Sequence, residues 1–128
     1  MTELITQGIR VGVETAYEGS FEKQGTLMLA FSYTITIANE SKDAVQLLRR
    51  HWEILDALNH EEFVDGEGVV GRQPILQPGE SHSYKSGCML HSPHGAMKGY
   101  YLMTSLSTGA EFRVEIPLFR LNAPFALN

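Results

Sequence analysis

The 128-residue chain has one cysteine, Cys88, so no internal disulfide can form and a reducing, cytoplasmic setting is expected. Long apolar runs are also missing. The longest is Leu27-Met28-Leu29-Ala30-Phe31, far short of the ~20 residues of a membrane helix, and the N-terminus carries no basic-then-apolar leader. No membrane partner is expected. Basic residues are in deficit: 10 Lys and Arg against 15 Asp and Glu leave a net charge of −5. That excludes the basic face on which sequence-independent nucleic-acid binding depends. Low-complexity segments and internal repeats are absent. The length fits one domain over residues 1–128, large enough to bury a core without metal or disulfide support.

What is present is period-two alternation. Leu27, Leu29, Phe31, Tyr33, Ile35 and Ile37 occupy every second position, which specifies a strand. Ile9, Val11 and Val13 form a shorter strand before it. Phe112, Val114, Ile116 and Leu118 form another near the end, joined through Ser107-Thr108-Gly109-Ala110 to a strand where Tyr100, Leu102 and Leu106 share a register. On the Tyr100–Tyr101 pair only one ring can enter the core, so the other is displayed. Residues 45–58 fit two periods. Leu47, Leu48, His51, Trp52, Leu55 and Leu58 suit a helix. As a strand, Leu48, Trp52 and Ile54 face one way and Arg49, His51 and Glu53 the other. Trp52 and Ile54 favour the strand. Residues 56–62 then turn the chain back through Phe63 and Val64, and Tyr84, Ser86 and Cys88 follow the Pro78-Gly79-Glu80-Ser81 turn as one more strand. About seven strands with short connections predict an all-β, antiparallel, immunoglobulin-like sandwich.

Gly66-Glu67-Gly68-Val69-Val70-Gly71 spells G-x-G-x-x-G, the dinucleotide motif. That motif works by opening a helix on the pyrophosphate. Here Pro74, Pro78 and Gly79 follow within eight residues and forbid the helix. Two readings remain. The glycines turn the chain, or Gly66, Gly68, Gly71 and Arg72 form a backbone nest for an anion such as pyrophosphate or a nucleotide, joined by Arg49 or Arg50 if their strand lies alongside, and with magnesium offsetting Glu61, Glu62, Asp65 and Glu67. Those four carboxylates make a poor field for a bare phosphate, so the turn is favoured. No metal site is assigned. The same carboxylates, and His51, His60, His82, His91 and His94, lack a recognised ligand spacing and read as solvated groups. Cys88 reads as a small buried hydrophobe, and neither it nor a Ser86–His82 pair carries a nucleophile signature. No catalytic residue is assigned.

The chain from Arg50 to Pro117 resembles the ApaG family. The resemblance rests on Arg50-His51-Trp52, Asp56, the glycine motif with Gln73-Pro74, Leu76, Pro78-Gly79-Glu80, Tyr84 and Ser86-Gly87. It continues through Pro93, Gly95-Ala96-Met97, Gly99, Tyr101-Leu102-Met103, Phe112, Val114 and Ile116-Pro117. It implies a fibronectin-III-like sandwich in a bacterial, cytoplasmic protein. It also carries labels for cobalt resistance and magnesium efflux, and use as an interaction module, with no catalytic residues to carry over. Ser92-Pro93 stands where relatives tend to have Thr-Pro. The function expected is therefore non-catalytic binding or regulation through an unidentified protein partner or self-association, with no cofactor. The alternative is a sensor of pyrophosphate or a dinucleoside polyphosphate at residues 66–72. Phe125, Ala126 and Leu127 form an apolar tail able to dock on this domain or on a second subunit.

Overall fold

In the computed structural model, which describes residues 2–57 and 61–126, two antiparallel sheets face each other across one apolar layer. The strands are β1 (Thr2–Thr6), β2 (Ile9–Lys23), β3 (Thr26–Asn39), β4 (Val45–Asp56), β5 (Glu61–Glu67), β6 (Ile75–Leu76), β7 (Ser81–Leu90), β8 (His94–Ser105) and β9 (Glu111–Asn122). A short 3-10 turn, Pro124–Ala126, follows. One sheet has the order β1-β2-β3-β7 and the other β5-β4-β8-β9, with β6 also on β4. The sandwich is as expected, and β1 and β6 are additions to the expected count. Leu58, His60 and Leu127 lie outside the described residues.

The alternation translates directly into burial. Leu29, Phe31, Tyr33, Ile35 and Ile37 of β3 all face inward against Ile9, Val11 and Val13 of β2. Across the layer stand Val45, Leu47 and Trp52 of β4, Met97, Tyr101 and Met103 of β8, and Val114, Ile116 and Phe119 of β9. Trp52 packs its ring against Tyr33 and edge-on to Phe119, with centroids 5.4 and 5.9 Å apart.

Residues 45–56 form a strand, with one departure from simple alternation. The β4–β8 register slips between Leu47 and Arg49, so Leu48 is a bulge residue. Before it Val45 and Leu47 point inward; after it the inward set is Arg50, Trp52 and Ile54. The expectation that Leu48 shares the core face with Trp52 is therefore corrected: Leu47 does. On β8, Tyr101 is buried and Tyr100 is displayed, as one of the two had to be.

Three two-residue turns have both central residues at positive φ: Gln7-Gly8, Gln24-Gly25 and Val70-Gly71. This is the type I′ geometry that suits the strand twist. Asn39, fully buried at the end of β3, ties two loops together. Its amide donates to the Asp43 and Leu76 carbonyls at 2.8 and 2.9 Å, and its Oδ1 accepts from the Ser41 amide and hydroxyl.

Candidate functional site

The glycine motif lies where β4 changes partners. β5 pairs with residues 49–55 of β4, and β6 with residues 45–46. The segment between leaves the β4 edge and returns to it. At the Leu48 bulge the carbonyl accepts from the Gly68 amide and the Gln73 side chain, and the Leu47 amide donates to Pro74. The tip is closed by reciprocal bonds between Val69 and Arg72.

Each glycine answers a local demand. Gly66 lies flat against Arg50: a β-carbon there would stand 2.7 to 2.9 Å from the guanidinium. Gly68 has φ of +60°, and a β-carbon would overlap the Arg72 carbonyl oxygen. Gly71, at φ of +75°, is the second centre of the type I′ turn. The first centre is Val70, a β-branched residue at φ of 48° and 64% exposed, a strained choice for a turn tip.

The loop directs carbonyls inward. Arg50 Nη1 donates to the Glu67 and Gly68 oxygens at 2.8 and 2.9 Å. The amides of Gly68, Val69 and Arg72 are already donated to backbone carbonyls, and among the described residues no carbonyl takes those of Val70 and Gly71. Arg72 is exposed and its charge falls on His82. The four residues proposed from sequence thus share one loop. The cation that the loop carbonyls hold is Arg50, one of the two arginines, with Arg49, that the sequence offered as companions to Arg72. Its signal was its position in the same pattern, two residues before Trp52.

Arg50 lines a cleft of about 340 Å³ between the edges of β5 and β7. Trp52, Ile54, Val64 and Met97 supply apolar walls; Tyr33, Tyr84 and Ser86 supply hydroxyls. The Tyr84 hydroxyl contacts that of the buried Tyr101. Burial pushes the phenols of Tyr33, Tyr84 and Tyr101 up, and the Arg50 charge pulls each partly back, so all stay protonated near neutrality. Burial, then the charges of Glu62 and Asp56, pushes the Cys88 thiol up to about 12. A thiol held protonated is a poor nucleophile. Ser86 and His82 stand four residues apart on one strand, a separation of about 13 Å, too far for a nucleophile–base pair.

The outer face of the second sheet carries a different constellation. The His51 ring stacks on Tyr100 at 4.8 Å and on Phe63 at 6.1 Å, and the Arg113 guanidinium lies 4.1 Å over Tyr100. Phe63, His51, Tyr100 and Arg113 thereby form a ladder of flat groups across β5, β4, β8 and β9. His51 Nδ1–H donates to Asp65 at 2.7 Å, and Glu53 lies 3.6 Å from its Nε2. Among the described residues no three His, Cys, Asp or Glu side chains converge to hold a metal ion. His94 bonds Asn122, while Asp56 takes the His91 amide and the Ser92 hydroxyl, so His91 and His94 serve separate contacts. The Phe125 ring meets Tyr17 edge-on at 5.9 Å, on its own domain.

A family model described as the ApaG domain matches residues 20–105. The chain is 44% identical over 119 residues to Protein ApaG of Methylorubrum extorquens, covering 93% of this chain and 91% of that one. With Protein ApaG of Brucella abortus the figures are 43% over 124 residues, 97% and 95%. An X-ray structure from a structural-genomics consortium superposes with a TM-score of 0.89 at 42% identity, covering 94% of this chain and 90% of its own. The crystal structure described as an ApaA protein from Bordetella pertussis gives 0.80 at 36%, covering 91% and 94%. Among the described residues no helix is long and apolar enough to cross a membrane.

Proposed function

The chain belongs to the ApaG family, and from that premise we propose that it is a non-catalytic binding protein of the bacterial cytoplasm, acting by docking a protein partner on the outer face of β5-β4-β8-β9. The observation that carries this is the ladder of Phe63, His51, Tyr100 and Arg113. Aromatic rings and arginine are the side chains that dominate interface energetics. Phe63 is 58% exposed. Asp65 and Glu53 are engaged by His51 and Lys98, whereas Arg49 and Arg113 are exposed and in no ion pair among the described residues. The complementary partner presents acidic and aromatic groups. Links to cobalt and magnesium handling, which the resemblance carries, would then run through that partner.

The test uses paired baits, the wild-type protein and Tyr100→Ala with Arg113→Glu. A partner captured by the first and lost from the second, with both folded, supports the reading. Identical captures, or none that depends on this face, refute it. A second reading keeps pyrophosphate or a dinucleoside polyphosphate, with a divalent cation, at residues 66–72. It rests on the Val70 and Gly71 amides beside the exposed Arg72. Pyrophosphate at millimolar concentration, with and without magnesium, should then shift the amides of residues 66–72; unchanged spectra in both conditions remove it.

A further inference from the structure

We propose that the cleft between β5 and β7 is a binding site for a small amphipathic monocarboxylate, held by its carboxylate on Arg50 and by its apolar body between Trp52, Ile54, Val64 and Met97. This goes beyond docking on the outer face, because the cleft opens between the two sheets.

Two independent observations meet here. The first is the cavity, whose roughly 340 Å³ is at the lower end for small-molecule sites and whose walls are apolar with a few convergent polar groups. The second is the state of Arg50. It is half-buried, yet among the described residues it forms no ion pair; its guanidinium donates to two neutral carbonyls. The other arginines without an ion pair, Arg49, Arg72, Arg113 and Arg120, are exposed to solvent. A partly desolvated guanidinium whose charge is uncompensated favours an anion beside it.

The chemistry of the walls selects the anion. One guanidinium balances one negative charge, and its planar fork matches a carboxylate. A polyphosphate would bring several charges against Ile54, Val64 and Met97, which offer them nothing. Ser86 and the protonated Tyr84 add hydroxyl donors on the β7 side. At the Cys88 end the charges of Glu62 and Asp56 oppose an anion, so the carboxylate is oriented toward Arg50.

Trp52 is the single tryptophan and lines the cleft, so its emission reports occupancy. The probes are octanoate and octanamide, which share an alkyl chain and differ in charge. Octanoate should change Trp52 emission saturably with a Kd on the order of 1 mM. Octanamide should bind at least about tenfold more weakly. Arg50→Gln should erase that difference. Because Arg50 also holds the glycine loop, a second variant, Val64→Phe, fills the cleft from β5 and leaves Arg50 in place; it should abolish the octanoate response while the unfolding midpoint stays near that of the wild type. Three results overturn the proposal: no saturable response of the folded wild type to octanoate, equal affinity for octanamide, or undiminished binding in a folded Val64→Phe variant.

Discussion

Replacing Gly66 by alanine sets the two explanations of the glycine motif against each other. The new β-carbon would stand 2.7 Å from Arg50 Nη2, 2.8 Å from Cζ and 2.9 Å from Nη1, where comfortable contact is about 3.5 Å or more. The backbone at Gly66 is ordinary strand, so the guanidinium, as the flexible partner, must retreat. Moving it by roughly 0.7 Å takes Nη1 beyond good hydrogen-bond range of the Glu67 and Gly68 oxygens. Hydrogen bonds to a charged group are worth about 1.5–3 kcal/mol each, and water replaces part of that at a half-exposed site. Restricting the unfolded chain returns about 0.4–1 kcal/mol. The expected net loss is about 1–3 kcal/mol. In an Arg50→Met background the alanine meets a pliable thioether, and the same substitution should cost about zero. Urea unfolding followed by Trp52 emission and circular dichroism measures all four corners of the cycle. A cost that is the same in both backgrounds, within about 0.5 kcal/mol, refutes the claim that Gly66 exists for Arg50. The other glycines extend the ranking. Gly68→Ala combines positive φ with backbone overlap and should cost about 3 kcal/mol or more; Gly71→Ala, in open space, about 1 kcal/mol. A pure anion nest predicts instead that the three matter alike for ligand and little for stability.

Asn39→Ala removes four hydrogen bonds at a fully buried site and takes one donor from each of the Asp43 and Leu76 carbonyls, so a loss of about 3 kcal/mol is expected from urea midpoints. Val70→Asn relieves a β-branched residue at φ of 48° and should raise stability by about 0.5–1 kcal/mol; a loss would show that the Val70 side chain packs productively. Stability should be level between about pH 7 and 9 and fall above it. Cys88 and the three tyrosines keep their protons when folded but release them when unfolded, from their ordinary values of 9.0 and 10.0, so the unfolded state binds fewer protons there. Cys88→Ala should flatten the first part of that decline in a pH series of unfolding midpoints; a Cys88→Ala profile identical to wild type between pH 9 and 10 counts against a buried, protonated thiol.

Which features could be read from sequence follows from how far each depends on register. The β3 alternation was plain because from Leu29 to Ile37 every second side chain meets the core without interruption, Leu27 alone of the series being exposed. Residues 45–58 looked partly helical because the Leu48 bulge switches parity. Leu47 and Trp52 both point inward on opposite parities, while the bulged Leu48, three positions before His51 and four before Trp52, supplies the helical interval. β1 was invisible: its Thr2–Thr6 side chains are almost all exposed, and its turn uses glutamine, not asparagine, in the left-handed position. The candidate site divides in the same way. Residue types announced a tight glycine turn. They could not say whether amides or carbonyls face inward, since that depends on peptide orientation. The outer ladder escaped too, because Phe63, His51, Tyr100 and Arg113 meet only once four strands are in register.

The asymmetry of strand pairing explains why a cleft exists on one side of the sandwich. On the β9 side β1 lies against the second sheet, and the Glu115 amide donates to the Thr6 hydroxyl across the gap. That edge is closed by a strand whose own side chains contribute little to the core. On the other side β5 and β7 are both edges, and the chain between them passes over one end as the glycine turn and the two-residue β6. Among the described residues no strand covers the flank between Val64 and Ser86. Filling it with large apolar side chains would make an ordinary closed core. The chain instead places there a guanidinium held by the backbone of the glycine turn. A charge that served only to staple a turn would be cheaper in solvent, where Arg49 and Arg72 already lie. Its retention inside the open flank is what makes the cleft, and not the glycine amides, the first place to look for a small ligand.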